Sequence, residues 1–92
     1  MDVSIGLPST PRPGGPDHVL AWAARADAGP FRSLVAGDRM ASRGHEALVA
    51  LAAAAGATNR IGLRASLVVG PARDTVLLAR QAASLDVLSG GR

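Results

Sequence analysis

Residues 2–7, DVSIGL, alternate polar and apolar with Val3, Ile5 and Leu7 on one side, which predicts a short strand. Residues 8–16 follow with four prolines and two glycines, a composition that neither a helix nor a central strand accepts. They predict a loop, longer than the two to six residues or so usual between a strand and a helix. From Asp17 the pattern changes to helical spacing over residues 17–29, with Val19, Trp22, Ala23 and Ala26 on one stripe and His18 and Arg25 on another. Gly29 and Pro30 stop it, because glycine tolerates a left-handed cap and proline cannot continue the helix.

The same alternation then repeats. Residues 31–36, FRSLVA, predict a second strand, and residues 37–44, GDRMASRG, a polar turn-rich loop. Residues 45–57 predict an alanine-rich helix whose buried stripe is Leu48, Leu51, Ala52 and Ala55. Residues 61–69, IGLRASLVV, predict a third strand, closed by Gly70 and Pro71. Residues 74–88 carry Leu77, Leu78, Gln81, Leu85 and Leu88 at helical spacing, with Asp74 or Thr75 as cap and Gly90 and Gly91 as the stop. Strands recur about every thirty residues, the length of one strand plus one crossover helix. That order implies an α/β fold with parallel strands and helices outside them.

The run from Pro71 to Arg92, PARDTVLLARQAASLDVLSGGR, resembles the third helix of the luciferase-like monooxygenase family. Pro71, Arg73, Leu77 to Leu85, Asp86 and Leu88 to Arg92 all fall on the family's pattern. Members are flavin- and deazaflavin-dependent oxidoreductases built on a (β/α)8 barrel of the TIM type. The resemblance implies that residues 1–92 are the N-terminal portion of one such domain, three βα units of an incomplete barrel. A closed barrel of this kind takes eight units and about 250 residues. Three parallel strands leave two open edges, and unpaired edges invite pairing with another chain. The chain is therefore expected to be a piece of a longer enzyme, a truncated product, or a module that completes itself by association, as a homo-oligomer through its sheet edges.

Composition narrows the class further. The chain has 92 residues, 48% of them hydrophobic, which bounds it to one modest core and argues against disorder. It has no cysteine, so a disulfide framework and a thiolate metal site are excluded and a cytoplasmic location is the expectation. The apolar run over residues 47–57 is far short of the ~20 residues needed to span a bilayer, so no membrane role is expected. All ten basic residues are arginine and the net charge is +3, but they are scattered and only one Trp and one Phe accompany them. Nucleic-acid binding wants a basic face with interleaved aromatics, so no nucleic-acid partner is expected.

Chemistry in parallel α/β folds lies beyond the carboxyl ends of the strands. The second strand ends in Gly37-Asp38-Arg39, which resembles the family's motif at that place. Many members have Asp-His there and others Asp-Arg. The resemblance implies that Asp38 and Arg39 are the catalytic candidates lining a pocket for a small-molecule substrate. The residues by themselves equally allow a loop aspartate capping a turn beside a solvated arginine. Ser66 and Leu67, in the third strand, fall where the family's chain bulges, often with a non-proline cis peptide, and backs the flavin ring. That makes them the cofactor-binding candidates, although Arg64 and Ala65 stand where members usually carry Gly and Thr. The cofactor implied is FMN or the deazaflavin coenzyme F420. Three units are expected to be too short for tight cofactor binding or turnover on their own, and the rival reading is a non-catalytic α/β module. His18 and His45 do not sit at strand ends or at metal-ligand spacing, so structural or solvated roles are expected of them. Trp22 is expected to pack a helix on the sheet.

Overall fold

The computed structural model describes residues 1–8, 10–11 and 17–92. The loop expected over residues 8–16 falls mostly outside them. Three strands, β1 (Ser4–Gly6), β2 (Ser33–Ala36) and β3 (Gly62–Ala65), alternate with three helices, α1 (Asp17–Ala28), α2 (Ala47–Gly56) and α3 (Thr75–Leu88). The strands form one parallel sheet in the order β1-β2-β3, with Ile5 opposite Leu34 and Leu34 opposite Leu63. The expected alternation of βα units is thus present, and every element but β3 is shorter than its apolar pattern by one to three residues. β3 differs most: pairing expected to residue 69 stops at Ala65.

One face of the sheet carries the core. Ile5, Leu34, Ala36 and Leu63 point to the helices and meet Val19, Ala23 and Ala26 of α1 and Ala47, Ala50, Leu51 and Ala54 of α2. Leu34, Leu51 and Ile61 are its largest fully buried side chains, each worth roughly 1.5–3 kcal/mol of burial. The alanines matter as spacers, since small side chains let α1 and α2 lie close on the strands. By alternation the opposite face presents Ser4, Gly6, Ser33, Val35, Gly62 and Arg64, and Ser4 and Ser33 share a hydroxyl hydrogen bond of 2.6 Å across it.

Three expected stripes need correction. In α2 Leu48 and Leu51 are buried as expected, but Ala52 is exposed and Ala55 half-buried, and Ala47, Ala50 and Ala54 complete the buried face instead. Trp22 is partly exposed and anchors β1 by donating its indole N–H to the Gly6 carbonyl at 3.1 Å. α3 buries no residue completely: Leu85 reaches the core, whereas Leu77 and Leu88 remain exposed beside α2. A stripe read from spacing gives direction only, and α3 packs mainly against α2.

Local signals explain the helix ends. Glu46 caps α2 by accepting from the Val49 amide at 2.7 Å, and Asp74 caps α3 by accepting from the Leu77 amide at 2.8 Å. α3 stops where Gly90 and Gly91 take φ of 71° and 82°, which lets the Gly91 amide return to the Asp86 carbonyl at 2.7 Å.

At the amino ends of the strands, two arginines close the units. Arg60 donates to the carbonyls of Asp27 in the last turn of α1 and of Gly29 and Phe31 just past it, while the Asp27 carboxylate accepts from the Asn59, Arg60 and Ile61 amides. Arg92 does the same for α2, donating to the carbonyls of Ala55, Thr58 and Ile61 and to the Thr58 hydroxyl. These carbonyls have no helical partner, so the planar guanidinium satisfies several at once.

Candidate functional site

At the carboxyl ends of the strands the chain forms a cleft of about 480 Å³. Leu7, Val35 and Leu67 give it apolar walls; Gly37, Asp38, Arg39 and Ser42 come from the segment after β2, and His45 from just before α2. Larger hollows of about 620 and 690 Å³ lie between α2 and α3 and along the outer edge of β3. The first is a helix-side groove and the second opens at the opposite ends of the strands, so neither meets the surface where parallel α/β folds place chemistry.

The end of β3 shapes the cleft. The Ser66 amide donates to the Ala36 carbonyl at 2.8 Å, continuing the ladder. In an unbroken parallel ladder the Asp38 amide would then take the Ser66 carbonyl. It takes the Leu67 carbonyl instead, at 2.9 Å. One residue is therefore extra on β3, and Ser66 and Leu67 form a bulge, a device that re-aims side chains where pairing ends. The displaced Ser66 carbonyl lies so close to Gly37 that a Cβ there would stand 2.6 Å from it. Glycine at 37 is thus what the bulge requires. The bulge falls where expected; the cis peptide does not occur, since no peptide among the described residues is cis. Two hydrogen bonds flanking a single inserted residue already accommodate the offset with trans geometry.

Asp38 and Arg39 part company in the structure. The Asp38 side chain is only 2% exposed and accepts from the Ala47 amide at 3.3 Å, the Val69 amide at 3.0 Å and the Arg73 guanidinium at 2.6 Å. The same Arg73 nitrogen also pairs with Glu46. Arg73 holds the Asp38 carboxyl below its usual range, burial opposes this, and the two amides add to the lowering. Burial likewise opposes ionisation of Glu46, yet the Val49 amide and Arg73 outweigh it and its carboxyl is lowered too. Asp38 is therefore a fixed carboxylate that ties the segment after β2 to the start of α2 and to the loop after β3. Arg39 is exposed on the rim, and Ser66 and Leu67 are exposed beside it.

Sequence reasoning missed three residues here. Arg73 is visible in the sequence only as part of the family pattern, and His45 sits neither at a strand end nor at metal-ligand spacing; Glu46 carries no signal beyond being an acid ahead of an apolar helix. His45 in fact lines the cleft. Among the described residues no group of three or more His, Cys, Asp or Glu side chains is placed to hold a metal ion. No helix among them is long and apolar enough to cross a membrane.

A comparison with curated proteins gives no match. The family model for luciferase-like monooxygenases matches residues 2–92. The chain belongs to that family.

Proposed function

We propose that this luciferase-like monooxygenase chain supplies part of a flavin-type cofactor site, with the ring lying against the Ser66–Leu67 bulge. The observation that carries the reading is the bulge itself, which turns Leu67 and the Ser66 backbone into a cleft at the carboxyl ends of the strands. Membership of an oxidoreductase family supports the same assignment. The residues present suit a planar ring with one polar edge: Leu7, Val35 and Leu67 are apolar, while Arg39 and the Ser66 hydroxyl offer donors. Either FMN or the deazaflavin coenzyme F420 meets that description, and either supplies hydride chemistry when bound. Arg39 on the rim meets the anionic or carbonyl groups of cofactor or substrate through its fixed fork of donors. Asp38 acts by holding the cleft's walls together. The absence of cysteine supports a cytoplasmic setting.

A second reading is a non-catalytic module that associates with copies of itself. It is favoured by the exposure of Val87 and Leu88 on α3, at 77% and 84%.

Amide NMR of the chain titrated with FMN and, separately, with F420 tests the proposal. Weak binding is expected, with shifts concentrated at Gly37, Ser66 and Leu67. Shifts scattered over the surface, or none at millimolar ligand, would remove the cofactor reading. Sedimentation of the same samples reports on the second.

A further inference from the structure

We propose that His45 is the proton-exchanging side chain of the cleft. The inference rests on the reading of the cleft as a ligand site and names the group in it that gives and takes a proton. Chemistry that moves a hydride or activates oxygen also moves protons, and a side chain does this best when it changes charge near the working pH. The described residues lining the cleft include three ionisable side chains, Asp38, Arg39 and His45.

Two of these are unsuited. The Asp38 carboxylate is enclosed by two backbone amides and Arg73, all of which favour its charged form. Arginine stays protonated throughout the physiological range. Histidine is the residue whose ordinary charge change falls between about pH 5 and 8.

Placement supports the elimination. His45 lies between Gly44, whose amide is held by the Ser42 hydroxyl at 3.1 Å, and Glu46, which is fixed as the cap of α2 and by Arg73. The imidazole therefore projects from a backbone anchored on both sides, and it is exposed to the cleft. Around it are Arg39 and Asp38 from the segment after β2, Arg43 and Glu46 on its own segment, and Arg73 beyond them. Asp38 and Glu46 are both committed to Arg73, so neither is bound to the imidazole. Arg39 follows Asp38 in this chain, and His45 brings an imidazole to the same cleft from the other end of the loop.

The experiment has two arms on the intact chain. In the first, histidine and amide signals are followed from pH 5 to 8 in the protein alone, with His18, which lies by Trp22 on α1, as the internal reference. The Ser66 and Leu67 amides are expected to titrate with the midpoint of His45 and to lose that titration in His45→Gln. Amides that ignore His45 would overturn the proposal, because the imidazole would then not face the bulge. In the second arm FMN is titrated into wild type and His45→Gln across the same range. A several-fold pH dependence of affinity in wild type that flattens in the variant supports the proposal. An identical pH profile in both overturns it while the cofactor reading stands. If wild type binds no FMN, the cofactor reading fails, and the first arm alone decides whether His45 serves the cleft.

Discussion

Replacing Gly37 by alanine tests the bulge at its tightest point. A Cβ there would stand 2.6 Å from the Ser66 carbonyl oxygen, whereas ordinary contact begins at 3.4 Å. The obstacle is backbone, hydrogen-bonded on both sides through the Ser66 amide and the Leu67 carbonyl, so no flexible side chain can swing away. Forcing a methyl group into such a site costs roughly 1–3 kcal/mol. For a domain of this size each kcal/mol moves the midpoint of thermal unfolding by about 4–8 °C. Gly56→Ala is the matched control, because nothing lies within 4 Å of its Cβ position at the end of α2. That change should stabilise by roughly 0.5–1 kcal/mol, since alanine loses less backbone freedom than glycine in a helix. Circular dichroism melts of the two variants should therefore move in opposite directions. Hydrogen exchange should show the Asp38 amide losing protection in Gly37→Ala alone. A Gly37→Ala protein that melts with wild type and keeps that amide protected would refute the bulge geometry.

Three further outcomes follow from the same structure. Leu34→Ala empties a fully buried site between sheet and helices and should cost about 2–5 kcal/mol, measured by urea unfolding. Asp27 is held below its ordinary value of 3.8, chiefly by the Asn59 amide and against burial. The folded state thus binds this proton less readily than the unfolded one, so Asp27's contribution is present above pH 3.8 and lost as pH falls through the lower folded value; Asp27→Asn should flatten the stability profile in that acid range. Arg92→Lys keeps the charge but not the fork that reaches Ala55, Thr58 and Ile61, so exchange at the carboxyl end of α2 should quicken while α1 is unaffected.

Much of the scaffold was legible because it is written in local signals. Periodicity found the three strands and three α-helices, and Gly29-Pro30, Asp74 and Gly90-Gly91 marked helix ends where the structure has them, although Gly29 does not take the left-handed conformation expected of it. What failed was reading beyond one element. Leu77 and Leu88 keep helical spacing yet stay exposed along the open groove beside α2, because burial depends on what lies opposite. Asp38 could be read from the sequence as a pocket group or as a loop carboxylate binding nearby backbone beside a solvated Arg39; the structure has it bound to the Ala47 and Val69 amides, but its partner Arg73, thirty-five residues away, carries no local signal. His45 could not be placed from spacing, since only the path of the loop from Gly37 brings it back over the cleft. The position of the Ser66–Leu67 bulge came from resemblance; nothing in the local apolar pattern of IGLRASLVV marks an inserted residue.

The two arginine clasps bear on how the chain matures as it is made. Each helix is finished by a side chain that arrives a full unit later: α1 waits for Arg60, and α2 waits for Arg92, which reaches back across intervals of up to 37 residues. On a ribosome the β1–α1 unit therefore lacks the hydrogen bonds that finish its helix until the chain has been made as far as Arg60. The α2 end likewise goes without its clasp until Arg92 follows, so the two closures overlap along the growing polypeptide.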